Sequence, residues 1–212
     1  LVGVDWRRTM RVSAAMPPYI MPSLSRMMVF IDGENIVLRY QDMCKNGYQP
    51  REEVQYKEDI FAWHPQAVRP YLHHVIRATY YTSAAGDEPK LEEINEEIRN
   101  LKYGQYSIYS TSDLASELGN TLSSVAYKKS KRSVKSKGVD IQMTVDILVN
   151  CYRNNLDTVY LVTGDGDFVP VLDEAKRLGK RVYVAAFSKG LNPKLRAVAD
   201  RFVDLDRIFF LI

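Results

Sequence analysis

Short apolar runs alternate with amphipathic stretches along most of this chain. Residues 27–31 and 158–162 are compact apolar or β-branched segments, as expected of strands covered on both faces. Residues 77–82 and 106–110 have the aromatic and β-branched content of two further strands, and 181–187 and 201–208 read the same way. Helical spacing predicts a helix over 35–44, where Ile36, Val37 and Tyr40 share a face, and another over 88–103, where Leu91, Ile94, Ile98 and Leu101 recur at three and four residues. A third helix is predicted over 139–153, with Ile141, Val145, Leu148, Val149 and Tyr152 as its apolar stripe. Residues 168–178, stopped by Gly179, and 193–199 complete the helices, with a further helical stretch over 66–74. Residues 45–65 hold a glycine, two prolines and many charges and are predicted to be irregular, while 113–127 is at best partly helical. Strands alternating with helices imply parallel βαβ units. The expected fold is one three-layer, Rossmann-like α/β domain with a mainly parallel central sheet.

The charge is unevenly distributed. The net charge of +3 is accounted for by the first 26 residues, where Arg7, Arg8, Arg11 and Arg26 face Asp5 alone. These residues are read as a tail or leader, and the domain is taken as 27–212. Within it, Lys128, Lys129, Lys131, Arg132, Lys135 and Lys137 form a run without an acid, so the remainder is acidic. A charge run is by default a solvated loop. This one leads into Asp140, so it is a candidate guide for a polyanion.

Cys44 and Cys151 have no C-x-x-C partner, and His64, His73 and His74 show no zinc-ligand spacing with them. Both cysteines are expected to be free thiols, with no sign of an oxidising compartment. No apolar run approaches the ~18 residues of a membrane span, and a cytoplasmic protein is expected.

The chemistry lies in aspartates at element ends. Asp32 closes the first strand in V-F-I-D-G-E-N, with Asn35 one turn on. Thr163-Gly164-Asp165-Gly166-Asp167-Phe168 follows the 158–162 strand and sets two carboxylates and a hydroxyl in a glycine-rich turn. Asp140 opens the third helix; Thr144 shares its face, while Asp146 is turned about 120° away. Each alone could be a helix cap or a solvated acid. In an open parallel sheet, however, ligands bind beyond the carboxyl ends of the strands. Acids gathered there repel one another unless a cation bridges them, and all-oxygen donors suit Mg²⁺ or Mn²⁺. That points to metal-assisted phosphodiester hydrolysis.

These three strings, V-F-I-D-G-E-N, K-G-V-D-I-Q-M-T-V-D and V-T-G-D-G-D-F, together with R-L-G-K-R-V-Y-V, resemble the NYN domains, in particular the LabA-like branch of the PIN-like nuclease superfamily. The resemblance runs from about Met27 to Leu211. It implies a PIN-like form of the Rossmann fold with an acidic divalent-metal site that cuts RNA. Matched to the family pattern, Asp32, Asp140, Asp165 and Asp167 take the positions of metal-binding and catalytic acids, and Asn35 and Asp146 those of supporting residues; Thr163 is a further supporting candidate. RNA is the expected partner. Two alternatives remain open: an RNA-binding regulatory module that keeps the acidic pocket but turns over little, and a phosphatase of the haloacid dehalogenase type. The latter needs a second aspartate that D-G-E-N-I lacks.

Overall fold

The computed structural model describes residues 25–68, 73–104, 121–128 and 137–212. Its elements, in chain order, are β1 (Ser25–Asp32), α1 (Gly33–Lys45), β2 (Gln55–Lys57), β3 (Phe61–Trp63), β4 (His73–Ala84), α2 (Glu88–Arg99), β5 (Ser123–Lys128), α3 (Lys137–Tyr152), β6 (Thr158–Val162), α4 (Val169–Arg177), β7 (Arg181–Ala186), α5 (Pro193–Val198), β8 (Arg201–Asp204) and α6 (Asp206–Phe209). Among the described residues the central sheet has six strands in the order β5-β4-β1-β6-β7-β8. Every pairing in it is parallel. The fold is thus the expected Rossmann-like α/β sandwich.

From β1 the chain moves outward through β4 to β5. It then crosses back through α3 to β6, on the other side of β1, and moves outward again. The order therefore reverses between β1 and β6, which leaves a crevice at their carboxyl ends. The register sets Ile31 opposite Val162 and Asp32 opposite Tyr81. The residues just past these pairs share one edge.

Two apolar layers hold the sheet. On one face Met27, Val29 and Ile31 pack with Ile36, Tyr40 and Met43 of α1 and Leu91, Ile94 and Ile98 of α2. On the other, Met28, Phe30, Val159 and Leu161 pack with Val139, Met143, Ile147 and Cys151 of α3 and with Leu172 and Ala175 of α4. Asp87 caps α2 by accepting the Lys90 amide, and Pro89 occupies the first turn.

Several local expectations are corrected. The stretch 45–65 contains an antiparallel hairpin, β2–β3. Its strands are three residues each, too short to show a period among so many charges. Asp59 turns it with φ 57°, and Trp63 is fully buried, its Nε1–H donating to the Lys102 carbonyl at 2.8 Å. The helix expected over 66–74 is only a 3-10 turn, Pro65–Ala67, capped by His64. His73 and His74 already belong to β4, where pairing with β1 overrides the weak helical signal. Residues 123–127, read as ambiguous, form edge strand β5 together with Lys128 of the basic run. The last strand ends at Asp204, and α6 follows. The strand expected over 106–110 lies outside the described residues.

The largest correction concerns α3. Four of the five residues of its expected apolar stripe face away from the core: Ile141, Val145, Val149 and Tyr152 are 64%, 45%, 37% and 62% exposed, while Leu148 packs partly against it. The buried face is Val139, Met143, Ile147 and Cys151. This helix is apolar on more than one side, so periodicity alone does not choose the face that docks on the sheet.

Candidate active site at the sheet crossover

Asp32 sits at the end of β1 and caps α1. One carboxylate oxygen, Oδ1, accepts the Asn35 amide at 3.0 Å. The other, Oδ2, accepts the Thr163 hydroxyl at 2.8 Å, across the crevice from β6. Asp32 is 1% exposed and Thr163 fully buried. The expected helix-cap role and the expected strand-end position therefore coexist in one side chain. Asn35 also reaches across, its Oδ1 accepting the Gly164 amide at 3.0 Å. Thr163 Oγ1 in turn accepts the Asp165 amide at 3.1 Å. The first strand, the first helix and the G-D-G-D turn are thus locked by side chains that the sequence had singled out.

The turn itself is compact. Asp165 caps a 3-10 turn, Gly166–Phe168, by accepting the Asp167 amide at 3.0 Å. Phe168 is buried beneath it, whereas Asp167 is exposed. Gly166 is required by contact: a Cβ there would lie 2.0 Å from Asn192 Nδ2. The loop after β7 closes over the turn, with the Asn192 amide donating to the Gly164 carbonyl at 3.0 Å. Asn192 was missed by the sequence reading, although Asn before Pro193 is a helix-start signal that could have found it. Glu34 lies in the first turn of α1, and its Oε1 accepts the Ser83 hydroxyl at the end of β4, adding another carboxylate to the carboxyl edge.

Asp140 lies in the first turn of α3 and is half-buried. Asp146 occupies the opposite flank of that helix. Its Oδ2 accepts the Tyr81 hydroxyl and its Oδ1 the Gln142 amide, both at 2.8 Å. Burial pushes the Tyr81 phenol well above its ordinary range, and the bond to Asp146 adds to the shift, so Tyr81 remains a neutral donor. Asp146 therefore belongs to a cleft beside β4 and β5. Of the basic run, Lys128 closes β5 and Lys137 opens α3; Lys129, Lys131, Arg132 and Lys135 lie outside the described residues. Cys44 and Cys151 are free thiols, and burial raises that of Cys151 to about 11.

Among the described residues no three His, Cys, Asp or Glu side chains gather closely enough to form a metal-binding group. The donor set nevertheless suits a hard cation. Mg²⁺ commonly takes one or two carboxylates and completes its octahedron with water and substrate phosphate. Asp32 is already oriented by two hydrogen bonds, and Asp165 is held by its own cap. α1 begins directly after β1 and the 3-10 turn just after β6, so both amino ends lie at this edge, where their dipoles favour anionic groups.

The all-parallel sheet, with Asp32 and Asp165 at its crossover, defines a Rossmann-type domain. The family model of the NYN domain matches residues 26–206. The chain belongs to the NYN domain family and thereby to the PIN-like nuclease superfamily, whose members generally use divalent metals. It is 33% identical over 78 residues to MJ0482, an uncharacterized protein of Methanocaldococcus jannaschii, a match covering 37% of this chain and 32% of that protein. The chain thus aligns with about a third of that relative's length. The crystal structure of VPA0982, a protein of unknown function from Vibrio parahaemolyticus, superposes with a TM-score of 0.54 at 19% identity, covering 88% of this chain and 96% of that one. That likeness concerns the fold. No helix among the described residues is long and apolar enough to cross a membrane.

Proposed function

We propose that the protein is a divalent-metal-dependent ribonuclease of the LabA-like branch, hydrolysing RNA phosphodiesters as an endonuclease. The observation that carries this reading is the buried Asp32 carboxylate bonded to Thr163 across the β1–β6 crevice, with Asp165 two residues beyond. Asp32, Asp140 and Asp165 are the proposed ligands of Mg²⁺ or Mn²⁺, and Asp167 ligates directly or through water. Such a cation would activate a water molecule and neutralise the scissile phosphate. Asn35 and Thr163 hold Asp32 in one orientation, so the carboxylate is already positioned when a ligand arrives. Lys128, Lys129, Lys131, Arg132, Lys135 and Lys137 are proposed to draw RNA toward this acidic edge. The segment that bears them joins the end of β5 to the start of α3, and both ends sit at the carboxyl side of the sheet.

The second reading is an RNA-binding module of weak activity. The bond of Asp146, expected to support the metal site, to Tyr81 in a separate cleft favours it. Purified protein incubated with RNA and DNA in Mg²⁺, Mn²⁺ or EDTA separates the two. The nuclease reading predicts RNA cleavage that EDTA stops and that Asp165→Asn reduces by at least a hundredfold. RNA that stays intact in both metals, yet is still bound, supports the weak module.

A further inference from the structure

A second polar feature lies on the α3 face of the sheet, over β1, β4 and β5. It is a cleft of about 370 Å³ whose lining includes Met28, Phe30, Arg77, Tyr81, Ser123 and Asp146. That volume is at the lower end for small-ligand sites and suits one nucleobase. Its chemistry is unlike the rest of the same layer. Where α3 and α4 cover the sheet, the inward residues of β6 and β7 are Val159, Leu161, Val182 and Val184. Along β4 and β5 the corresponding positions are Arg77, Thr79, Tyr81, Ser123 and Val125, of which only Val125 is aliphatic.

Two of these groups are prepared for a ligand. Asp146 is oriented by Tyr81 and Gln142. An ionised carboxylate has about four acceptor sites, so two remain after these bonds. Arg77 is exposed and makes no ion pair among the described residues. The cleft also begins beside the acidic edge, because Tyr81 stands opposite Asp32 in the sheet register. Arg77 is four residues earlier on β4, about 13 Å down the strand.

We infer that this cleft binds one nucleotide, with its base edge against Asp146 and its phosphate at Arg77, and that it favours bases bearing an exocyclic amine. The assignment of that nucleotide to an RNA strand rests on the ribonuclease reading; the cleft itself does not. An acceptor-only carboxylate pairs with the amine of cytosine. Uracil sets carbonyl oxygens at the same edge, and these repel the carboxylate. Phosphate contact by Arg77 is indifferent to the base.

The test is fluorescence anisotropy of labelled oligocytidylate and oligouridylate on the whole protein in EDTA, with free CMP and UMP as competitors. It reads binding, so it stands whether or not the protein cleaves RNA. Oligocytidylate should bind about tenfold more tightly than oligouridylate. Asp146→Asn, which can donate as well as accept, should erase that ratio. Arg77→Ala should weaken both ligands alike and flatten the salt dependence by about one unit of log–log slope. CMP should compete at least tenfold more weakly than the oligomer. Equal binding of the two oligomers to wild type, or an unchanged ratio in Asp146→Asn, overturns the base assignment. An unchanged salt slope in Arg77→Ala overturns the phosphate contact. CMP binding as tight as the oligomer overturns the RNA strand as the source.

Discussion

The two halves of the sheet follow different rules. Strand β6 is buried along its whole length, because helices cover it on one side and the first apolar layer on the other. Strand β4 is buried only from Ala78 onward; Ala78 and Tyr80 enter the first core, whereas Arg77 and Thr79 line the cleft. One half is closed and speaks only of packing. The other leaves polar groups on a face that a doubly wound sheet ordinarily seals. The crossover between the halves carries Asp32 and Asp165, so these two acids sit where the closed half meets the half that bears the cleft.

The largest effect should come from the closed half. Leu161→Ala should cost about 2–5 kcal/mol, because a fully buried side chain leaves a cavity between packed elements. Ser123→Val, on the open half, should change stability by about 0.5 kcal/mol or less. Chemical denaturation of both variants measures the contrast, and comparable losses would erase it.

Gly33→Ala probes the seam. A Cβ there would lie 2.3 Å from Tyr80 Cε1 and 2.6 Å from the Tyr81 carbonyl oxygen. The ring can shift but the backbone cannot, so a loss of about 1–3 kcal/mol is expected. A thermal midpoint equal to wild type would show that α1 does not press on β4 as described.

The smallest effect concerns the Arg26–Asp157 pair, which ties the start of β1 to the turn before β6 at 2.8 Å. The Arg26 side chain and amide hold the Asp157 carboxyl down at about 2, against an ordinary 3.8. A depressed carboxyl stabilises the fold above its unfolded value and loses that contribution as pH falls through the folded one. The midpoint gap between wild type and Asp157→Asn should therefore be constant above about pH 4 and close toward pH 2. Both side chains are about 40% exposed, so added salt should shrink the gap. A gap that persists at pH 2 would contradict the ion-pair origin.

Much of the fold around the crossover was legible in the sequence. The runs at 27–31 and 158–162 announced strands buried on both faces, and Asp32, Asn35 and Thr163 were singled out before their mutual hydrogen bonds were seen. What escaped had physical reasons. The hairpin strands are too short for a period to emerge, and β5 is a polar edge strand defined by its pairing with β4. The orientation of α3 was misread because apolar residues occupy its exposed face as well as its buried one. The Tyr81–Asp146 contact joins residues 65 apart, and no local pattern encodes it.

The central claim is that the crossover acids hold a divalent cation. Calorimetric titration of Mn²⁺ into wild type, Asp32→Asn, Asp140→Asn and Asp165→Asn, each verified as folded, tests it directly. The account predicts saturable binding to wild type and at least a tenfold loss of affinity in each variant. Wild-type affinity retained in all three would contradict it.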